Sequence, residues 1–199
     1  MNDQWSDATI PTFAGGQVKN VFSDPNSLTF FRILAVPGIV LLMMFPNRFC
    51  TALAAVLFSV AAITDYLDGF FARKQGMVTT LGKVMDPVAD KLLVSSAFIM
   101  LASLGWVPAW IVCVIIGREL AVTGLRNIIA EKGEDLSASQ LGKFKTGFQI
   151  AAIIPLLIHY PFFGLNAHAI GIFFLWGALA FTLWSGTHYF IKFRKLLQT

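Results

Sequence analysis

Charge is scarce in this sequence. Aspartate, glutamate, lysine and arginine make up 13% of its 199 residues, while hydrophobic residues make up 56%. A soluble domain is about a quarter charged, so an ordinary water-exposed globule is excluded and an integral membrane protein is expected. The length leaves no room for a separate soluble module. Cysteine is nearly absent. Cys50 and Cys113 both lie in or beside apolar runs, which excludes a disulfide framework and a zinc site; they read as two free, buried thiols. The period-2 alternation of a membrane barrel is missing, as are internal repeats and low-complexity tracts. Met1 to Ser27 has no basic stretch followed by an apolar run, so it does not read as a signal peptide.

What is present is apolar and segmented. Mean hydropathy is +0.70. Six apolar segments can be drawn: Leu28–Phe45, Phe49–Ala72, Val88–Leu104, Val107–Leu125, Phe148–Phe163 and Ala167–Phe193. Each is near the length of about 20 residues that a helix needs to cross a bilayer. Helices are the default there, because lipid offers the backbone no hydrogen bonds. The 19 Phe and 5 Trp suit a lipid-facing surface with interfacial anchors. The expected fold is therefore all-α and membrane-integral, with six transmembrane helices.

The links between segments alternate in character. Pro46–Arg48, Gly105–Val107 and Gly164–Asn166 are short and almost uncharged, while the others are longer and basic. One side collects Lys19, Arg32, Arg73, Lys74, Lys83, Lys91, Arg118, Arg126, Lys132, Lys143, Lys145, Lys192, Arg194 and Lys195, which is 14 of the 15 basic residues. Arg48 alone is opposite. The positive-inside rule then predicts a multi-pass membrane protein with both termini and the aspartates on the cytoplasmic side. The net charge of +4 suits an anionic leaflet or an anionic substrate. Residues 1–27 form a cytoplasmic tail in which Gln17–Ser23 reads either as a short interfacial helix or as disorder. Residues 28–199 form the six-helix unit.

Four aspartates stand out against this background. From Asp65 to Asp90 the chain reads D-Y-L-D-G-F-F-A-R-K-Q-G-M-V-T-T-L-G-K-V-M-D-P-V-A-D. Ionisable residues at a membrane are costly and mark function. Asp65 and Asp68 are spaced i, i+3, and Asp86 and Asp90 are spaced i, i+4, so each pair shares a helix face. If segments two and three are antiparallel neighbours, the two faces meet. Four carboxylates at short range raise one another's pKa, and hard divalent cations resolve the conflict. Oxygen-only ligands suit Mg²⁺, Mn²⁺ or Ca²⁺, and two ions suit phosphoryl-type transfer. Gly69, Ala72 and Gly82 let either a ligand or a neighbouring helix lie against the backbone. Arg73 suits a phosphate, or with Lys74 a membrane-surface anchor.

The stretch has the form D-x₂-D-G-x₂-A-R-x₈-G-x₃-D-x₃-D. It resembles the signature of the CDP-alcohol phosphatidyltransferases, with no position missing. The resemblance runs through nearly the whole chain from Pro25. It implies a six-helix membrane enzyme, usually a homodimer, that moves a phosphatidyl group from a CDP-linked lipid to an alcohol and releases CMP. It also implies that Asp65, Asp68 and Asp86 hold the metals, Mg or Mn and two ions. Asp90 would be the general base, with a contact to metal as well. Gly69, Ala72, Arg73, Gly82 and, more weakly, Thr79 would line the site for CDP-diacylglycerol. Asn26, Thr29 and Arg32, in P-N-S-L-T-F-F-R, would reach the nucleotide or its phosphates. Asn26 and Thr29 also suit a helix N-cap.

The acceptor site is expected elsewhere. Arg118 and Arg126, in G-R-E-L-A-V-T-G-L-R, are about two helical turns apart and share a face. Lys143 and Lys145 follow in L-G-K-F-K-T. These cations either surround an anionic acceptor or act as snorkelling anchors with an Arg118–Glu119 network. The phrases D-P-V-A-D-K, G-R-E-L-A-V-T-G-L-R and G-K-F-K-T most resemble the bacterial phosphatidylglycerophosphate synthases of this family. Those use sn-glycerol 3-phosphate as acceptor, in anionic phospholipid biosynthesis. Inositol phosphate and phosphatidylglycerol are the alternative acceptors, and a metal-dependent membrane phosphatase is the alternative chemistry. A transporter would need its carboxylates along a path near mid-membrane, whereas these cluster at one end. No Ser, Cys or His lies between Asp65 and Asp90, which favours direct transfer.

Overall fold

The computed structural model describes the backbone of residues 25–75, 80–131, 140–161 and 164–197, with side chains placed at 30–64, 88–125, 144–161, 164–187 and 189–191. It contains six helices: α1 (Pro25–Met43), α2 (Arg48–Gln75), α3 (Thr80–Ser103), α4 (Ala109–Glu131), α5 (Gln140–Ile158) and α6 (Ala167–Leu197). The described part of the chain is thus all-helical, as the apolar segmentation predicts. The tail up to residue 24 and Thr79 lie outside the described residues.

The helix ends follow from local sequence. Asn47 caps α2, its Oδ1 accepting the Cys50 amide at 2.9 Å. Asn166 caps α6 in the same way, through the Ala169 amide at 3.1 Å. The α3 terminus closes with a paired set of bonds, Trp106 N to Leu101 O and Gly105 N to Ala102 O, both 3.0 Å. That pairing needs a left-handed residue, and Gly105 supplies it at φ 70°. Helix α5 ends sooner than its apolar run suggests. His159 takes φ 55°, an unusual conformation for a residue with a Cβ. Its ring is held in a stack on Trp106, with centroids 3.7 Å apart. At their other ends α3 and α5 start eight residues ahead of the apolar segments drawn for them, because helix formers continue through their polar first turns.

The three short links meet at one end of the bundle. Tyr160 Oη donates to the Pro46 carbonyl at 2.8 Å, and the Trp106–His159 stack joins the other pair. The core is built from residues such as Ile39, Phe58, Phe98, Leu101, Ile111, Ile153, Leu156 and Leu175, all fully enclosed. Helices α5 and α6 pack most intimately. Helix α1 packs on both α2 and α3, and α2 also lies on α5. Among the described residues α2 and α3 touch least of the contacting pairs. Over the described residues α1 packs on each of them more than they pack on each other.

Many large apolar side chains remain outside, among them Phe30, Leu41, Phe49, Val56, Trp110, Phe173, Trp184 and Phe190. Cys113 is exposed too, and Cys50 is half-buried, so the expectation of two buried thiols is corrected. Both lie on outward helix faces, where a small apolar group needs no enclosure. Among the described residues one stretch, Ala167–Ile191, is long and apolar enough to cross a membrane, and Phe30–Met43, Arg48–Thr64 and Phe144–Ile158 are shorter apolar helices.

The close approach of α5 and α6 depends on glycine. A Cβ at Gly171 would sit 2.5 Å from Leu156 Cγ and 3.0 Å from the Leu156 backbone nitrogen. Backbone cannot retreat as a flexible side chain can, and overpacking typically costs about 1–3 kcal/mol. Gly171→Val should therefore lower the thermal midpoint of the purified protein by several degrees. Gly117→Ala, where a Cβ meets nothing within 4 Å, should leave it unchanged or slightly raised. Equal midpoints for the two variants would disprove the glycine contact.

Candidate functional site

Helices α4, α5 and α6 bring a polar group together inside the apolar bundle. Helix α4 supplies Arg118 and Glu119. Helix α5 supplies Lys145 and Gln149, one turn apart on one face. Helix α6 supplies Ser185 and Tyr189, likewise spaced.

Glu119 is the centre. Its Oε1 pairs with Lys145 Nζ and with Arg118 Nη1 at 3.5 Å, and accepts from Gln149 Nε2 at 3.4 Å. Arg118 continues outward. Its Nη2 donates to Ser185 Oγ at 2.8 Å, and its guanidinium lies over the Tyr189 ring, 5.9 Å from the centroid. Ser185 Oγ donates in turn to the Phe181 carbonyl at 2.6 Å. Gly186 makes room for this arrangement, since a Cβ there would come within 3.2 Å of Arg118 Cγ.

Lys145 is buried, and the side chains of Arg118 and Glu119 are 12% and 16% exposed. Charges so placed must be compensated. Two cations share the Glu119 carboxylate, so that carboxylate alone does not balance them. Arg118 Nε is also buried without a hydrogen-bond partner among the described residues, so one donor of the fork remains open. Asp90 lies on α3, which packs on both α4 and α5.

The other expected site residues fall on the same helices. Asp65, Asp68, Gly69, Ala72 and Arg73 lie in the last turns of α2, and Gly82 and Asp86 in the first turns of α3. Both aspartate pairs are thus on helices, at the spacing that aligns them. The side chains of these residues, and of Asn26, Thr29, Arg126 and Lys143, lie outside the described residues. Arg32 is enclosed within the bundle at 1% exposure. Pro25 stands at the first position of α1, a place proline favours. That puts Asn26 and Thr29 inside the helix rather than at its cap. Among the described residues no group of three or more His, Cys, Asp or Glu side chains forms a metal site.

The Arg118–Glu119 network weighed as the alternative for these cations exists, and it includes Lys145. It does not exhaust them, because the charges do not cancel within it. Gln149, Ser185 and Tyr189 escaped the sequence reading. Their signal was available: each is a polar group within an otherwise apolar helix, where such groups are expensive.

Residues 22–184 match the CDP-alcohol phosphatidyltransferase family. The chain is 42% identical over 191 residues to the CDP-diacylglycerol–glycerol-3-phosphate 3-phosphatidyltransferase of Bacillus subtilis (strain 168), covering 90% of this chain and 99% of that protein. It is 39% identical over 167 residues to the protein of the same name from Rickettsia typhi (strain ATCC VR-144 / Wilmington), covering 83% and 94%. The namesake from Escherichia coli (strain K12) is 36% identical over 172 residues, covering 84% and 93%. With a family match across most of its length and relatives aligned nearly end to end, the chain belongs to the CDP-alcohol phosphatidyltransferase family.

Proposed function

We propose that this chain transfers a phosphatidyl group from CDP-diacylglycerol to sn-glycerol 3-phosphate, giving phosphatidylglycerophosphate and CMP. The observation that carries the reading is a buried pair of cations, Lys145 and Arg118, gathered on the single carboxylate of Glu119, in a bundle whose α3, the helix of Asp90, packs on both α4 and α5. A base beside an anion-binding pocket is what a phosphorylated alcohol acceptor requires. The names of the relatives describe this reaction.

The chemistry follows from the residues. Arg118 and Lys145, with Arg126 and Lys143 from the neighbouring turns, take the phosphate of the acceptor. Asp90 accepts the proton of the hydroxyl on carbon 1. That oxygen then attacks the phosphorus attached to diacylglycerol, and the bond from this phosphorus to the oxygen of CMP breaks. Holding a water-soluble acceptor in line with a lipid donor supplies much of the gain. Asn26, Thr29, Arg32, Gly69, Ala72, Arg73, Thr79 and Gly82 line the donor side. The family is generally dependent on divalent metal. Asp65, Asp68 and Asp86, with Asp90, are a hard all-oxygen donor set that fits two Mg²⁺ or Mn²⁺ ions. Such ions, when bound, draw charge from the diphosphate.

The membrane reading belongs to the same proposal. Six helices, short uncharged links at one end and large apolar side chains on the outside suit a six-span protein of the bacterial inner membrane, working as a homodimer. The lopsided basic residues support an orientation with the aspartates and both termini in the cytoplasm. In a chain cleared of Cys50 and Cys113, Gln75→Cys and Gly133→Cys should react with an impermeant maleimide only from the cytoplasmic face, and Leu165→Cys only from the opposite face. Reversed labelling would overturn the orientation.

Two kinetic outcomes test the chemistry. Asp65→Asn, Asp68→Asn and Asp86→Asn should each abolish acceptor-dependent CMP release. Chelation should do the same, and added Mg²⁺ or Mn²⁺ should restore the wild type. Full turnover in excess chelator rules out the metal. Arg126→Ala should raise KM for glycerol 3-phosphate roughly tenfold to a hundredfold, since a charge-assisted hydrogen bond is worth about 1.5–3 kcal/mol. Binding of CDP-diacylglycerol should stay nearly constant. If the nucleotide lipid weakens instead, these cations serve the donor. CMP release without any acceptor would identify a phosphatase.

A further inference from the structure

At the end of the bundle away from the aspartates, one cation has no acid to answer it. The links 44–47, 104–108 and 159–166 contain no aspartate or glutamate. Along α2 the nearest carboxylate after Arg48 is Asp65, about 25 Å away at the rise of a helix. Arg48 is exposed and has no ion pair among the described residues. Its guanidinium lies over the Tyr160 ring, 5.5 Å from the centroid. The ring itself is fixed, because the Tyr160 hydroxyl donates to the Pro46 carbonyl at 2.8 Å.

A groove of about 450 Å³ starts at this pair and runs between α2 and α5. Ala52, Val56, Val60 and Ile63 line it from α2, and Ile154 and Ile158 from α5. Ser59 also borders it, but its hydroxyl is turned onto the Ala55 carbonyl at 2.7 Å. The wall is thus apolar along its length and cationic at one end. From Arg48 to Ile63 it follows about 22 Å of helix, the reach of an extended acyl chain rather than of a compact ligand.

We propose that Arg48, Tyr160 and this groove seat one anionic phospholipid from the leaflet opposite the active site. Its phosphate sits on Arg48 and one acyl chain lies along α2 and α5. The inference rests on the membrane reading above. Charge decides among occupants. A second copy of the chain in the same orientation brings no carboxylate to this end, so it cannot neutralise Arg48. The donor lipid has its phosphates at the aspartate end, so a chain of its own entering the groove at Ile63 would leave Arg48 without an anion. A zwitterionic lipid carries an ammonium of its own that opposes Arg48. An anionic lipid meets both the charge and the groove, and arginine suits phosphate oxygens.

The test is native mass spectrometry of the full chain released from nanodiscs holding equal parts of phosphatidylglycerol and phosphatidylethanolamine with matched chains. One phosphatidylglycerol should be retained in preference. Arg48→Gln should cut that preference roughly tenfold, and Arg48→Lys should keep most of it. Val56→Trp, which fills the groove, should lower retention of both lipids. An unchanged preference in Arg48→Gln would mean an arginine that merely snorkels, and would overturn the seat. So would one-for-one displacement of the retained lipid by CDP-diacylglycerol, or a disulfide between copies at Val60→Cys in a chain cleared of its own cysteines. CMP release, measured on the same preparations, keeps the two readings apart. A wild type that prefers phosphatidylglycerol but releases no CMP retains the seat and removes the proposed function.

Discussion

A lysine and an arginine placed side by side among apolar helices repel each other, and each gives up its hydration at a cost of several kcal/mol. Glu119 is what allows Lys145 and Arg118 to stay there. The arrangement of three helices follows from it. Helix α4 must present Glu119 toward α5, and α5 must place Lys145 and Gln149 on one face. Helix α6 must come close enough for Ser185 to take the outer nitrogen of Arg118. That last requirement reaches back into the core. The glycines at 171 and 177 let α6 lie tightly on α5, against Leu156 and Phe148, and Gly186 leaves Arg118 its path.

The two ends of the bundle solve different problems. At the motif end, charge must be held ready without being fully cancelled, and side chains from separate helices share the task. At the opposite end there is almost no charge, and the links are short because each helix is stopped by local chemistry. Gly105 closes α3, Asn47 and Asn166 open α2 and α6, and the Trp106 stack holds His159 in its left-handed turn.

The sequence makes much of this legible, for reasons that differ by feature. The aspartate motif is fixed in spacing, and spacing on a helix determines which residues align. The helix count follows from apolar runs too long for anything else. The packing of α1 on both α2 and α3 was not legible, because apolar faces in a bundle are nearly interchangeable and nothing local marks α1 as the helix shared by both. Burial of Cys113 was misjudged for a related reason: when a helix is apolar on every side, hydrophobicity no longer separates inside from outside. The early end of α5 depends on a ring stack between residues 53 positions apart, which no local pattern carries. Gln149, Ser185 and Tyr189 were visible as polar exceptions, but their shared partner group was not.

The incomplete charge balance around Glu119 also bears on which alcohol the site accepts. A neutral acceptor leaves Arg118 Nε without a partner and the two cations with only the Glu119 carboxylate between them among the ion pairs of the described residues. Buried donors left without partners penalise a ligand that lacks the matching group far more than a missing methylene does, by as much as about ten thousandfold in sites built for a polar contact. On the proposed reading a small phosphorylated alcohol meets this condition, because its phosphate answers the open donor and the two cations together. Acceptor choice on this view is set by α4, α5 and α6, independently of the aspartate motif on α2 and α3. Exchange of the polar residues on those three helices would change the alcohol while leaving the donor chemistry intact.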